Sequence, residues 1–216
     1  MSSARSAIVI KLGGSLIESG RIARTLEIVG NAQRPCIVVP GGGAFADAVR
    51  AAQKAYHFDD AAAHRMAVLA MEQSALLLAA LNSRLVLASS AAAIRTALAE
   101  TSIPVWMPCK MVLRDKRIAM DWTTTSDSLA AHLAARLGGL ALALVKSTPV
   151  PPGATAVQLA EAGIVDAAFA GIVEQRSLNW RVLGPQDEPA LIDLLASVVP
   201  SSRRRGADRA IARQRR

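Results

Sequence analysis

The chain has 216 residues, 52% of them hydrophobic and only 3% aromatic, a formal net charge of +8 and two cysteines. That length can bury a substantial core, and an apolar fraction rich in Ala, Leu and Val suits Ala-rich helices covering a parallel sheet. Cys36 and Cys109 are too few and too far apart for a disulfide framework or a CxxC metal site, and the longest apolar window, residues 129–145, is broken by His132, Arg136 and Gly138-Gly139, which excludes a membrane span.

Near its start the chain has an apolar β-branched run, Ile8-Val9-Ile10, that continues through Lys11-Leu12 and ends in Gly13-Gly14-Ser15. It reads as a strand delivering an anion site. Glycines let backbone N–H groups approach a phosphate closely, a helix starting after Ser15 adds its dipole, and Lys11 supplies full positive charge. A short helix is expected over residues 18–31, then a second strand, Cys36-Ile37-Val38-Val39, that ends in Pro40-Gly41-Gly42-Gly43. The strand–glycine–helix junction thus occurs twice, and both glycine loops are expected to face one crevice at the strand ends. Helices are expected over residues 44–56 and 61–82, the latter capped by Phe58-Asp59-Asp60 and carrying His64.

A third strand, residues 85–88, and a helix, residues 91–100, precede an extended piece at residues 104–108 that leads to Lys110 and a charged turn, Arg114-Asp115-Lys116-Arg117. The polar cluster Trp122-Thr123-Thr124-Thr125-Ser126-Asp127 stands immediately before an Ala/Leu helix at residues 128–137. Leu140-Ala141-Leu142-Ala143-Leu144-Val145 is a buried parallel-type strand that also ends in a lysine, Lys146. A Pro/Gly loop at 149–153, helices near 157–162 and 166–173, a last strand at 180–183 and a closing helix at 189–198 complete the body. Residues 201–216 hold seven arginines against Asp208, so +6 of the +8 lies in this tail. The expected organisation is one domain over residues 1–200 and a disordered Arg-rich tail, with no specific nucleic-acid partner. Met1 to Ala7 lacks an apolar core of signal-peptide length, so a cytoplasmic location is expected.

Lysines at two strand ends, two glycine loops and Asp127 at a helix start point to phosphoryl transfer. That chemistry asks the protein for positioning and positive charge around a moving group, with Mg²⁺ as the expected ion. Asp127 either holds the lysines or orients the metal, although a helix N-terminal Asp is also a common N-cap. No Gly-x-x-x-x-Gly-Lys-Ser/Thr is present, so the P-loop class is excluded. Gly41-Gly42-Gly43-Ala44-Phe45-Ala46 does match a loose dinucleotide fingerprint, with Asp59 or Asp60 as ribose contact.

The ordered combination Ile10-Lys11-Leu12-Gly13-Gly14-Ser15, Val39-Pro40-Gly41-Gly42-Gly43 and Thr125-Ser126-Asp127-Ser128-Leu129-Ala130-Ala131 resembles the amino acid kinase family. The resemblance implies an α/β fold, a three-layer αβα sandwich with a mainly parallel open sheet, ATP with Mg²⁺ as donor, and at least a dimer. It implies that Lys11 stabilises the transferred phosphoryl group, Gly13 and Gly14 contact it through their amides, Gly41, Gly42 and Gly43 hold the acceptor, and Asp127 orients the catalytic lysines. Ser15, Ser126 and Lys146 are then the candidate nucleotide-phosphate contacts.

Within the family the chain is most similar to the small aspartokinase-like (5-(aminomethyl)furan-3-yl)methyl phosphate kinases of methanofuran biosynthesis, through residues 44–50, His64, Pro108-Cys109-Lys110-Met111-Val112-Leu113 and residues 122–129. That likeness implies conversion of a furanmethyl phosphate to its diphosphate, with Arg50 or Lys110 on the acceptor phosphate and His64 facing the acceptor. An amino-acid carboxylate or nucleoside monophosphate acceptor, or a non-catalytic nucleotide- or oxyanion-binding protein, are the alternatives. Two departures stand out. The Thr/Ser-Asp-x-x-Gly segment usual after the fifth strand reads Lys146-Ser147-Thr148-Pro149-Val150-Pro151-Pro152-Gly153, and the late lysine of many members has no counterpart between Asp166 and Leu183. Either Lys146 or Lys110 substitutes, or nucleotide binding is weakened.

Overall fold

A computed structural model describes residues 7–196. The expected Arg-rich tail and the N-terminal expectation on residues 1–6 lie outside the described residues. The strands are β1 (Ile8–Leu12), β2 (Cys36–Pro40), β3 (Leu85–Ala88), β4 (Ile103–Trp106), β5 (Ala141–Val145) and β6 (Trp180–Leu183). They form one parallel sheet in the order β3-β4-β2-β1-β5-β6. β1 is therefore central. Its neighbours are in register with it, Leu12 opposite Pro40 of β2 and Val145 of β5, so the residues that follow these three strands emerge side by side.

All five residues of β1 are buried, as a strand covered on both faces requires. Ile8, Ile10 and Leu12 join one core with Leu26 and Val29 of α2 (Ile22–Gly30) and Leu191 and Leu195 of α10 (Glu188–Leu195). Val9 points the other way, into a core with Leu129 and Leu133 of α7 (Ser126–Arg136) and Phe169 of α9 (Phe169–Gln175). Phe169 is wholly buried and meets Trp180 edge-on at 5.6 Å, a burial contributing about 2–3 kcal/mol. The helix α4 (Asp60–Leu81) serves both cores, with Val68 and Met71 in one and Ala75 and Leu78 in the other. The expected αβα layering is what forms.

Local structure departs from expectation where the chain turns tightly. The helix expected over 18–31 is two helices, α1 (Ser15–Glu18) and α2, parted by Gly20 at φ +70°. The extended piece expected at 104–108 overlaps β4, which starts one residue earlier and which Pro104 conceals because it has no N–H to donate. A short α6 (Cys109–Val112) follows it. The closing helix ends at Leu195. The remaining helices are α3 (Gly43–Tyr56), α5 (Ala91–Ala99) and α8 (Ala156–Glu161).

Candidate active site

The sheet brings Lys11 at the end of β1 and Lys146 just past β5 together, and α7 presents Asp127 between them. Lys11 Nζ lies 2.8 Å from Asp127 Oδ1 and Lys146 Nζ 2.7 Å from Oδ2. All three are buried, at 4%, 9% and 4% exposure for Lys11, Lys146 and Asp127. Asp127 is no N-cap: Thr125 holds that position, and each Asp127 oxygen lies within 2.8 Å of a lysine ammonium. The capping work falls to Asp166, whose Oδ2 accepts from the Thr125 amide at 2.9 Å, the Thr125 hydroxyl at 2.8 Å and the Ser128 amide at 3.0 Å, while Oδ1 accepts from the Ser128 hydroxyl. A carboxylate from a distant loop therefore pins the first turn of α7, and with it Asp127.

The electrostatics of the triad leave one positive charge uncompensated. Burial by itself raises the Asp127 carboxyl, but the ammonium groups of Lys11 and Lys146 outweigh it and hold the group below the usual carboxylate range. Burial first, and repulsion from Lys11 second, push the Lys146 ammonium down to about 8 against the pull of Asp127. Two cations on one buried anion make a site that gains from a further anion.

The glycine loops meet beside the triad. A methyl group on Gly14 would stand 2.2 Å from Gly43 Cα, and one on Gly41 would stand 2.5 Å from the Gly14 nitrogen. Only glycine allows this approach, and Gly43 also carries φ +52°. Gly13 corrects the expectation for its amide: the N–H donates to the Val145 carbonyl at 3.1 Å, continuing the β1–β5 ladder, so it does not point to a ligand. Ser15 Oγ lies 2.7 Å from Ser147 Oγ, bridging the loops after β1 and β5.

A cavity of about 220 Å³ opens beside these loops, lined by Gly14, Ser15, Gly42, Gly43, Arg50 and His64, and closed by Trp122, Met71 and Ser126. The Arg50 guanidinium stacks on the Trp122 ring at 4.3 Å and pairs with Asp47 at 2.7 Å. Trp122 Nε1–H donates to Gln53 at 2.7 Å, which fixes the ring. His64 is 3% exposed; its Nδ1–H donates to the Asp121 carbonyl at 3.2 Å, and Nε2 has no partner among the described residues. Burial lowers its basicity, opposed by that hydrogen bond, so the ring is neutral near pH 7 and Nε2 offers a lone pair.

Of the residues singled out in the sequence, Lys11, Asp127 and Lys146 form one cluster, and Gly14, Ser15, Gly42, Gly43, Arg50, His64 and Ser126 line the adjoining cavity. Lys110 is not brought there. It sits exposed on α6, in a depression shared with Arg114, Arg117 and Arg136, because α6 turns away after β4. The dinucleotide reading also loses its acidic partner: Asp59 accepts from the Ala62 amide at 2.7 Å as the N-cap of α4, and Asp60 accepts from Gln53 at 2.7 Å. No role was assigned from the sequence to Trp122, Ser147 or Asp166. Trp122 had a signal, being one of three tryptophans and next to the Thr/Ser cluster, whereas Asp166 lies 38 residues from its Ser128 partner and had none.

Residues 6–149 match the amino acid kinase family. The chain belongs to that family. It is 22% identical, over 87% of its own length and 92% of the relative's, to a [5-(aminomethyl)furan-3-yl]methyl phosphate kinase from Methanocaldococcus jannaschii. Among solved structures it resembles a UMP kinase from Ureaplasma parvum, with TM-score 0.62, 16% identity and 84% and 90% of the two chains covered. It also resembles a uridylate kinase from Archaeoglobus fulgidus, with TM-score 0.59, 18% identity and 88% and 95% coverage. This member of the amino acid kinase family is accordingly a small-molecule phosphotransferase, and no described helix is long and apolar enough to cross a membrane.

Proposed function

We propose that the chain is an ATP-dependent kinase of a phosphate monoester, (5-(aminomethyl)furan-3-yl)methyl phosphate or a near analogue, which it converts to the diphosphate in the cytoplasm. The observation that carries this reading is the buried Lys11–Asp127–Lys146 cluster with its surplus positive charge, set against a cavity holding both a cation and a flat aromatic face. The likeness to the Methanocaldococcus jannaschii kinase and the motifs quoted above support the choice of acceptor.

The donor site fits a polyphosphate: two ammonium groups converge, and glycine at 14 and 41 lets the two loops close against each other beside them. Mg²⁺-ATP, when bound, supplies the phosphoryl group and the metal's charge neutralisation. Among the described residues no group of three or more His, Cys, Asp or Glu is placed to hold a metal, and both Asp127 oxygens face lysines, so the ion belongs with the nucleotide phosphates. Lys11 and Lys146 face the negative charge that spreads over the moving group, an effect of about 3–4 kcal/mol per preorganised donor. Asp127 keeps both ammonium groups aimed before substrate arrives, which removes their reorganisation from the barrier. Arg50 holds the acceptor's phosphate as a cation, and His64 Nε2 takes up a shared proton from it. Trp122 and Met71 cover the ring, and the Gly42 and Gly43 amides at the start of α3 orient the attacking oxygen. That oxygen forms the new P–O bond as the bond to ADP breaks.

The same reading includes assembly into at least a dimer. Phe45 on α3 and Met66, Leu69 and Leu76 on α4 are exposed apolar side chains on adjoining helices, and equilibrium sedimentation tests the association.

Incubation of the protein with Mg²⁺-ATP and the furanmethyl phosphate, followed by ³¹P NMR, should show a new P–O–P pair of doublets and stoichiometric ADP, both lost in Lys11→Ala. Faster turnover of UMP, isopentenyl phosphate, glutamate or aspartate would reassign the acceptor. Nucleotide binding without turnover of any of them would refute the kinase reading itself.

A further inference from the structure

Cations are concentrated on one face away from the candidate active site. The tail outside the described residues holds +6 of the chain's +8, so the remainder is nearly neutral overall. Two adjoining depressions, of about 220 and 440 Å³, nevertheless share Arg117, Arg136, Met111 and Asp115. The first extends to Arg176, which follows α9, and the second to Lys110 and Arg114. Five cations therefore surround a single carboxylate. Neither depression shares a lining residue with the cavity beside Lys11.

That carboxylate is already committed. Asp115 lies 2.6 Å from the Arg117 guanidinium and 3.6 Å from that of Arg136, and the Arg117 hydrogen bond holds its carboxyl down at about 2. Lys110, Arg114 and Arg176 have no acidic partner among the described residues. The floor between these cations is apolar, formed by Trp106, Val112, Ile118 and Leu133. The indole keeps no polar atom for solvent, since Nε1–H donates to Met111 Sδ at 3.3 Å. A face that served only to solvate charge would need neither the recess nor this floor.

We propose that the paired depression is a second ligand site, which binds a small organic polyanion: an apolar body on the floor and at least two negative charges met by Arg114, Arg117, Arg136 and Arg176. Guanidinium groups suit that task because each can grip a phosphate or carboxylate with two parallel hydrogen bonds. A nucleic acid fits less well. Trp106, the one indole in the recess, is 2% exposed and offers no face on which a base could stack, which leaves the half-buried His132 ring as a single stacking surface.

The test uses 1-naphthyl phosphate, a dianion with an apolar body, and pyrophosphate, which lacks one, in isothermal titrations of the full chain. Lys11→Ala/Arg50→Ala reports any binding that belongs to the other site, and Arg114→Glu/Arg176→Glu disables the recess through two exposed side chains. The milder Arg114→Gln/Arg176→Gln, with an unchanged melting temperature, guards against misfolding. Naphthyl phosphate is expected to bind the wild type and Lys11→Ala/Arg50→Ala equally, and more tightly than pyrophosphate does. It should weaken about tenfold for each contact removed. Affinity unchanged from the wild type in both Arg114/Arg176 variants, loss of binding in Lys11→Ala/Arg50→Ala, or binding confined to an RNA oligonucleotide would each overturn the proposal.

Discussion

Raising the pH should switch off this enzyme through one side chain. Lys146 is held down to about 8 by burial and by Lys11, so in the free protein its ammonium is the cation lost first on the alkaline side. Above that point kcat/KM, which reports the free enzyme, should fall about tenfold per pH unit, leaving about a tenth of the maximum at pH 9. Bound polyphosphate adds negative charge beside Lys146 and raises its pKa, so the limb in kcat should lie at higher pH than the limb in kcat/KM. Coupled ADP-release assays from pH 6 to 10 read both. Lys146→Arg, whose side chain stays charged throughout, should retain activity and lose the limb. Stability supplies a readout independent of turnover. The folded pKa lies below the unfolded value of 10.5, so between about 8 and 10.5 the unfolded chain binds a proton that the native state does not. Unfolding free energy from this group therefore rises with pH across that window, by about 3 kcal/mol in full, and the rise should vanish in Lys146→Met. A kcat/KM profile flat to pH 9.5, or the same limb in an active Lys146→Arg, would refute the assignment.

Three substitutions test the rest of the site. Asp127→Asn leaves two buried ammonium groups without a counter-charge and should destabilise the fold by about 3–5 kcal/mol in urea titrations, with kcat down by about 10² or more. Gly14→Ala drives a methyl to 2.2 Å from Gly43 Cα; separating the loops should cost about 1–3 kcal/mol and raise the KM of both substrates. Asp166→Ala removes the acceptor for the first turn of α7, costing about 1–2 kcal/mol, and should lower kcat with little change in acceptor KM, because Asp166 positions Asp127 and is not among the residues lining the cavity. An unchanged kcat in Asp166→Ala would show that α7 holds Asp127 in place unaided.

How much of this was legible follows from how local each signal is. Lys11-Leu12-Gly13-Gly14-Ser15 and Pro40-Gly41-Gly42-Gly43 announce themselves because a β-branched run meeting glycines is a backbone statement within ten residues. The five-residue β4 neighbourhood was obscured by Pro104, whose missing N–H speaks against a strand although the sheet tolerates it second from the edge. Lys110 looked as good a candidate as Lys146, since both follow extended segments; what separates them is strand order. β5 lies next to β1, whereas β4 is parted from β1 by β2. Asp166 was silent because its partners are far away in the chain, and a carboxylate in a loop has no pattern that says which helix it caps.

The same strand order explains how a lysine comes to stand beside Lys11 from an unexpected place in the chain. The resemblance leads one to look for the second cation late in the chain, where only Arg176 and Arg181 occur between Asp166 and Leu183. Adjacent parallel strands in register deliver their ends to one spot, and here Leu12 stands opposite Val145, with the Gly13 N–H bonded to the Val145 carbonyl. A residue directly after Val145 is therefore forced beside the glycine loop after β1. Its side chain needs only to reach an acceptor, which Asp127 provides at 2.7 Å from Nζ. The position also accounts for the low basicity of Lys146: a cation carried at the tip of a flexible late loop would keep its hydration, whereas one anchored at a central strand end is buried and set close to Lys11. Preorganised charge and the alkaline limit proposed for activity are consequently two results of one register.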